Sequence, residues 1–173
     1  MLDAVYTAIF RPFQLRFPTR AAVTIGLLII LVVALNAAGK TNLGVAGILG
    51  LALLLLFAGI LGCYWLAASI NLMAQLLGGQ GNGRSTLEGT VWGLWPLLFT
   101  GVAITAANWS IFLGQLFLAS IIFGVLGTLI ISIRQVHQFS WLKAIFCLSL
   151  TLMLSFLALL GLFLWPMMII LGT

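Results

Sequence analysis

Long apolar runs, separated by short polar interruptions, make up most of this chain. Five runs are long enough to predict helices that cross a membrane, because about 20 apolar residues span a hydrocarbon core of about 30 Å. The predicted spans are approximately residues 21–38, 45–70, 90–107, 111–133 and 142–165. The pattern therefore predicts an all-α, polytopic integral membrane protein with five transmembrane helices.

The second run is longer than a membrane requires, since residues 43–77 contain no charge. A helix over this length would extend about 52 Å, so it must tilt strongly or continue beyond the membrane. Ser69, Asn71 and Gln75 make its last turns polar, which favours continuation.

The longest polar interruption covers residues 76–96 and begins with a glycine-rich turn. Its glycines are Gly78, Gly79, Gly81 and Gly83. A phosphate-binding loop is disfavoured because the lysine at the helix start is missing and no buried strand precedes the turn. We expect a hinge that leads into a capped helix. Ser85, with Glu88 three residues later, has the spacing of a capping box and predicts the start of that helix.

Four features describe the third and fourth spans. Pro96 predicts a kink in the third span because it lacks a backbone N–H, and Trp92 and Trp95 are expected at the membrane–water interface. A short turn, residues 108–110, makes the two spans an antiparallel hairpin. Small residues on the fourth span predict a ridge for close helix packing, namely Gly114, Ser120, Gly124 and Gly127.

The N-terminal segment, residues 1–20, differs from the spans. Apolar side chains recur at helical spacing between Met1 and Phe13, which predicts a short amphipathic helix in the membrane interface. It would act either as an anchor for the first span or as a wedge in one leaflet. The predicted domains are this interfacial segment and a five-helix transmembrane domain over residues 21–173.

Cationic residues predict the orientation of the bundle. With five crossings, one side holds Arg11, Arg16, Arg20, Arg84, Arg134 and Lys143. The other side holds Lys40. Positive residues are enriched in cytoplasmic loops, so the N-terminus is expected in the cytoplasm and the C-terminus on the far side.

Composition excludes several classes of protein. The chain has 173 residues, of which 64% are hydrophobic and 5% charged, and its mean hydropathy is +1.31, which excludes a soluble domain. The net charge of +5 comes from cations scattered over several loops, so no nucleic-acid partner is expected. Cys63 and Cys147 lie in apolar runs without a CxxC pair or a Cys/His cluster, so neither a disulfide nor a metal site nor any other cofactor is expected.

Catalytic chemistry is also disfavoured. Asp3 and Glu88 are the only carboxylates, they are far apart in sequence, and His137 is the only histidine, so we expect no enzyme. Apart from Lys143, at the very start of the fifth predicted span, no Asp, Glu, Lys, Arg or His falls within a predicted span, which disfavours proton- and ion-coupled carriers. The candidate contacts to acidic lipid headgroups or to a partner are Arg11, Arg16, Arg84, Arg134, His137 and Lys143. These charges could also serve only to set the topology.

Two stretches, taken together, resemble a known family. The first is Leu76-Leu77-Gly78-Gly79-Gln80-Gly81, followed by Arg84, Thr86, Gly93 and Pro96. The second is Arg134-Gln135-Val136-His137-Gln138-Phe139-Ser140, followed by Lys143-Ala144. In a five-span chain they resemble the Yip family, the Ypt/Rab-interacting protein domain, and more narrowly its small bacterial members. Gly93-Leu94 stands where the family often has Gly-Tyr.

The resemblance covers approximately residues 10–165 and implies a role in membrane organisation or trafficking. The long cytoplasmic N-terminal region of eukaryotic members is not found in this sequence, so the resemblance does not extend to small-GTPase binding. The leading hypothesis is a non-enzymatic Yip-like protein that acts on lipids or a protein partner through its cytoplasmic face. The alternatives are an accessory subunit of a larger membrane complex and a lipid or small-solute transporter or channel. Membrane lipids and other membrane proteins, in homo- or hetero-oligomers, are the expected partners, in a bacterial inner membrane or an internal membrane.

Overall fold

A computed structural model describes residues 19–39 and 44–171 of the chain. Within these ranges every regular element is a helix. The elements are α1 (Thr19–Ala38), α2 (Val45–Leu76), α3 (Gly83–Gly93), a 3₁₀ segment (Trp95–Phe99), α4 (Thr100–Trp109), α5 (Ile111–His137) and α6 (Trp141–Leu171).

The helices confirm an all-α, polytopic integral membrane protein. Four stretches in the described ranges are long and apolar enough to cross a membrane: Val45–Leu76, Gly83–Trp109, Ile111–His137 and Trp141–Leu162. The remaining predicted span, residues 21–38, corresponds to α1, whose 20 residues would extend about 30 Å. The side of the membrane on which each terminus lies stays a prediction. So does the division of the chain, at residue 20, into an interfacial segment and a transmembrane domain. The expected interfacial helix before Phe13, and Lys40, lie outside the described residues.

Helix α2 is continuous over 32 residues, or about 48 Å, as its uncharged run predicts. Its last turns are packed within the protein, since Ser69, Ile70 and Ala74 are buried there. The core cluster lies at this end of the bundle, where α2 meets the end of α5 and the start of α6. Its members are Ile70, Ala74, Leu129, Ile133, Phe139, Ala144, Cys147 and Leu148.

The third span is interrupted where Pro96 predicts a kink. Helix α3 ends at Gly93, and the backbone passes through the 3₁₀ segment before α4 begins. The expectation for Trp92 is wrong, because this side chain is only 4% exposed and belongs to the face of α3 that packs inside the bundle. Trp95 is half-buried and makes an edge-to-face contact with Phe99.

The start of α3 differs from the capping box expected at Ser85 and Glu88. Asn82 is the N-cap, and its side chain accepts a hydrogen bond from the Ser85 backbone N–H at 2.8 Å. The Ser85 hydroxyl in turn accepts from the Asn82 N–H at 3.2 Å. The helix therefore begins one turn earlier, because asparagine is at least as good an N-cap as serine. Glu88 instead accepts from Arg84 Nε at 3.3 Å along the same helix face.

Small residues bring α3 and α4 close to α5. A Cβ added to Gly93 would lie 2.5 Å from Leu129 Cδ2. The predicted ridge on α5 is confirmed at Gly114, which abuts Ala107, and at Gly124, which faces Pro96. The ridge prediction is wrong at Gly127 and Ser120. A Cβ added to Gly127 would meet nothing within 4 Å, and Ser120 is exposed, its hydroxyl donating to its own helix.

Candidate functional site

Two connections of the bundle meet at one end. Residues 77–82 join α2 to α3, and residues 138–140 join α5 to α6. A Cβ added to Gly81 would lie 2.6 Å from His137 Nδ1, and one added to Gly79 would lie 2.9 Å from the same atom. The first connection therefore approaches the imidazole ring too closely for side chains at these positions. Glycine is required there by contact with His137.

The end of α2 aims the glycine-rich connection at His137. Gly78 has a φ of +81°, a left-handed conformation that glycine adopts without strain. Its N–H donates to Gln75 O at 3.0 Å, and the Gly79 N–H donates to Ala74 O at 2.8 Å. This pair of bonds is a Schellman motif, which ends α2 and turns the backbone sharply.

His137 is 1% exposed and is held by Thr86. Its Nε2 lies 3.0 Å from the Thr86 hydroxyl oxygen. Asn82 O, at 2.8 Å, is nearer to that hydroxyl than Asn71 Oδ1, at 3.3 Å, so we assign its single proton to Asn82 O and make Nε2 the donor in the contact with Thr86. The other ring nitrogen, Nδ1, then has a lone pair when the ring is neutral. It is buried and has no hydrogen-bond partner among the described residues.

Aromatic rings support the charged side chains around His137. Phe139 stacks on the imidazole with ring centroids 5.7 Å apart. The Lys143 ammonium lies 6.0 Å from the centroid of Phe139, and the Arg134 guanidinium lies 4.6 Å from the ring of Trp141. Both distances fall within the range of cation–π attraction, so the two cations are held at defined positions.

The link between α5 and α6 depends on an unusual backbone conformation. Gln138 has a φ of 55° and a ψ of 39°, the left-handed region that few residues other than glycine adopt. Its N–H and that of Phe139 both donate to Arg134 O, which ends α5. Because only two residues, Phe139 and Ser140, then precede α6, the side chains of both helix ends lie close together.

A polar cavity of about 240 Å³ lies between the two connections. We call it the loop cavity. It is lined by Gly78, Gln80, His137, Gln138, Phe139, Ser140 and Lys143. None of these residues is acidic.

The family comparison matches this chain to the Yip1 domain over residues 4–163, which is most of its length. This chain belongs to the Yip1 domain family. Comparisons with curated proteins and with solved structures gave no significant match. Yip-family proteins are generally non-enzymatic membrane proteins that interact with other proteins. The match confirms the resemblance carried by the two sequence stretches, and it makes this a multi-pass membrane protein of the Yip type in contact with lipid.

In this Yip1 domain the two stretches that suggested the family are in direct contact. The glycine-rich stretch contributes Gly79, Gly81 and Thr86, and the other contributes His137. Thr86 belongs to the first sequence stretch, but the sequence predicts no role for it. A histidine and a threonine 51 residues apart offer no local signal of their contact.

The candidate contact residues fall into separate groups. Lys143 and His137 line the loop cavity, whereas Arg84 lies beside another groove, next to Glu88. The Arg84 side chain is 73% exposed. Arg134 lies over Trp141, and Arg11 and Arg16 lie outside the described residues. Across the described part of the chain, no three His, Cys, Asp or Glu side chains converge on a possible metal position.

Proposed function

We propose that this Yip1-domain protein organises membranes or takes part in trafficking without catalysing a reaction. Its cytoplasmic face would act on anionic lipids or recruit a protein partner. The observation that supports the proposal is the placement of Arg84, Arg134 and Lys143 at the same end of the bundle. There α2 and α5 end and α3 and α6 begin, joined through the contact of His137 with Thr86.

Each basic side chain at this end has a neighbouring side chain that it contacts. Arg84 is paired with Glu88, and Arg134 and Lys143 lie over aromatic rings. Juxtamembrane cations attract an anionic leaflet by about 1 kcal/mol each. Several cations at helix ends would therefore hold this end against headgroups, and the segment before α1 would add Arg11 and Arg16 if the predicted topology holds.

The experiment tests whether this face binds a membrane in trans. The full chain is placed in nanodiscs, and the capture of small anionic liposomes is measured by co-sedimentation. Deleting residues 1–13 is expected to lower capture without unfolding the spans, so circular dichroism should lose no more helix signal than the deleted residues account for. Lys40→Gln is the matched control, because the predicted topology places Lys40 on the opposite side. Unchanged capture after the deletion would count against the proposal.

A second candidate, an accessory subunit of a larger complex, is favoured by one observation. An apolar cavity of about 380 Å³ lies between α1, α2 and the 3₁₀ segment, and Ala58, Gly59 and Gly62 line it. A Cβ added to Gly62 would meet nothing within 4 Å, so this surface leaves space for apolar side chains of a neighbouring helix. Co-purification from native membranes in mild detergent tests this candidate. A lone monomer would rule it out.

A further inference from the structure

The size of the loop cavity suits a small polar group. Its volume of about 240 Å³ is below the range of about 300–1,000 Å³ that is usual for pockets that hold drug-sized ligands. Amide, hydroxyl, imidazole and ammonium groups surround it, from Gln80, Gln138, Ser140, His137 and Lys143. These groups are of the kind that bind a hydrated or oxygen-rich ligand.

The charge around the loop cavity favours an anion. Lys143 supplies a cation, and α6 begins at the edge of the cavity, directly after Ser140. The first hydrogen bond of α6 runs from the Ala144 N–H to Ser140 O, so the amides of residues 141 and 142 have no acceptor within the helix. Such amides and the helix dipole attract negative charge. The one described carboxylate, Glu88, lies away from the cavity and accepts from Arg84.

His137 provides an independent indication of a ligand. Its Nδ1 is buried without a partner, although buried polar atoms in proteins are nearly always hydrogen-bonded. The atom faces Gly79 and Gly81, which place backbone but no side chain against the ring edge. Since Nε2 donates to Thr86, protonation would turn Nδ1 into a second N–H donor toward an anion.

We propose that the loop cavity binds a phosphoryl group, carried either by a phospholipid headgroup or by a free phosphate compound. Lys143 and the first turn of α6 neutralise its charge, and the glycine-rich connection, which closes over Nδ1 in the empty cavity, shifts so that His137 donates from Nδ1 to the bound anion. This inference deepens the proposed function and rests on it, because it names the ligand class of the same basic face.

Binding of the anion is coupled to proton uptake by His137. In the empty cavity the imidazole ring is buried, which disfavours its charged form. Lys143 lines the same cavity, Arg134 lies over Trp141, and the elements packed on the ring contribute the neutral groups Thr86 and the glycines. A bound anion stabilises the positively charged imidazole, so it favours proton uptake by His137. Imidazole is the side chain that changes charge between about pH 5 and 8, so affinity rises as the pH falls through this range.

The test uses the full-length protein in a non-ionic detergent. Three probes are titrated while tryptophan fluorescence is followed: inorganic phosphate, short-chain phosphatidylglycerol, and diacylglycerol with the same acyl chains. Lys143→Gln is expected to weaken phosphatidylglycerol binding about tenfold. The matched control Lys40→Gln removes the same charge on the side that the predicted topology places opposite, and it is expected to change binding less than about twofold.

The pH profile tests the role of His137. Phosphatidylglycerol keeps one negative charge between pH 6 and 8, so a change in its affinity reports the protein alone. We expect several-fold tighter binding at pH 6 than at pH 8. His137→Gln retains a donor for Thr86 but removes Nδ1, and it is expected to flatten the profile. If this variant does not fold, the comparison of Lys143→Gln with Lys40→Gln still decides the proposal.

The outcomes separate the sources of the ligand and the two proposals. Binding of inorganic phosphate indicates a free phosphate compound, and binding of phosphatidylglycerol alone indicates a headgroup. Equal binding of diacylglycerol, or equal losses in the two cation variants, overturns the inference. If liposome capture fails while phosphatidylglycerol still binds, the proposed function alone is refuted. If liposomes are captured but phosphatidylglycerol does not bind, the phosphoryl site alone is refuted.

Discussion

The contact between Thr86 and His137 yields the sharpest prediction of stability. Thr86→Val removes a hydroxyl that is 3% exposed while keeping a side chain of similar shape. Its oxygen lies 2.8 Å from Asn82 O, 3.0 Å from His137 Nε2 and 3.3 Å from Asn71 Oδ1. The substitution therefore leaves the Nε2–H without an acceptor inside the bundle.

The expected cost follows from that unpaired donor. A buried polar group that loses its partner costs about 1–3 kcal/mol, so Thr86→Val is expected to lower the free energy of unfolding by about 2 kcal/mol. His137→Asn is the complementary change, because its short amide reaches the position of Nδ1 but not that of Nε2. Once the ring donor is absent, removing the hydroxyl costs less. The double variant should therefore show a coupling of about 1–2 kcal/mol.

Unfolding by sodium dodecyl sulfate in mixed micelles, followed by far-ultraviolet circular dichroism, measures the four members of this cycle. Thr151→Val is the matched control. Thr151 is fully buried, but its hydroxyl donates to Cys147 O within its own helix and otherwise contacts the weakly polar Cys147 thiol, so its removal leaves no imidazole or amide without a partner. We expect a smaller cost for Thr151→Val and no coupling to His137. Additive costs for Thr86→Val and His137→Asn would refute the assigned hydrogen bond.

Three further predictions concern other parts of the chain. Gly93→Ala should destabilise the protein by about 1–3 kcal/mol in the same unfolding assay, because the new Cβ would overlap Leu129, whereas Gly127→Ala should not. Gln138→Gly should raise stability by about 1 kcal/mol by relieving its left-handed backbone, and a loss of stability would show that the Gln138 side chain contributes more than the strain costs. Reporters fused before Met1 and after Thr173 should lie on opposite sides of the membrane, and labelling from the same side would refute five crossings.

Hydrophobic pattern was sufficient to predict the bundle because lipid imposes a strong constraint. Every spanning segment must satisfy its backbone internally, so uncharged runs of sufficient length become helices. The run over residues 43–77 thus predicted continuous α2, and Pro96 predicted the interruption of the third span. Both signals are local, and tertiary contacts reinforced them.

The predictions that were wrong failed for one of two reasons: tertiary packing overrode a local signal, or two residues competed for the same role. Tryptophan is typical of membrane interfaces, but Trp92 falls on the inward face of α3, and its burial depends on how α3 packs against the rest of the bundle. The capping prediction chose Ser85 because a glutamate follows at the right spacing. Asn82 competed for the same role, and spacing alone does not rank two caps that are three residues apart. The candidate site was predicted as a set of charges, whereas its centre is the buried ring of His137.

The glycine-rich connection has a physical explanation that its sequence alone does not give. Flexibility was the expected role of the glycines, yet Gly79 and Gly81 press against the imidazole, and only Gly78 has a positive φ. The ring is positioned from the other side by Thr86, one turn into α3, so the connection and the helix start enclose it together. Replacing either glycine with alanine should therefore displace His137 and disturb the loop cavity, even though neither position is in a helix. The two family stretches then form a single structural unit, in which the glycines provide the space that a buried histidine needs.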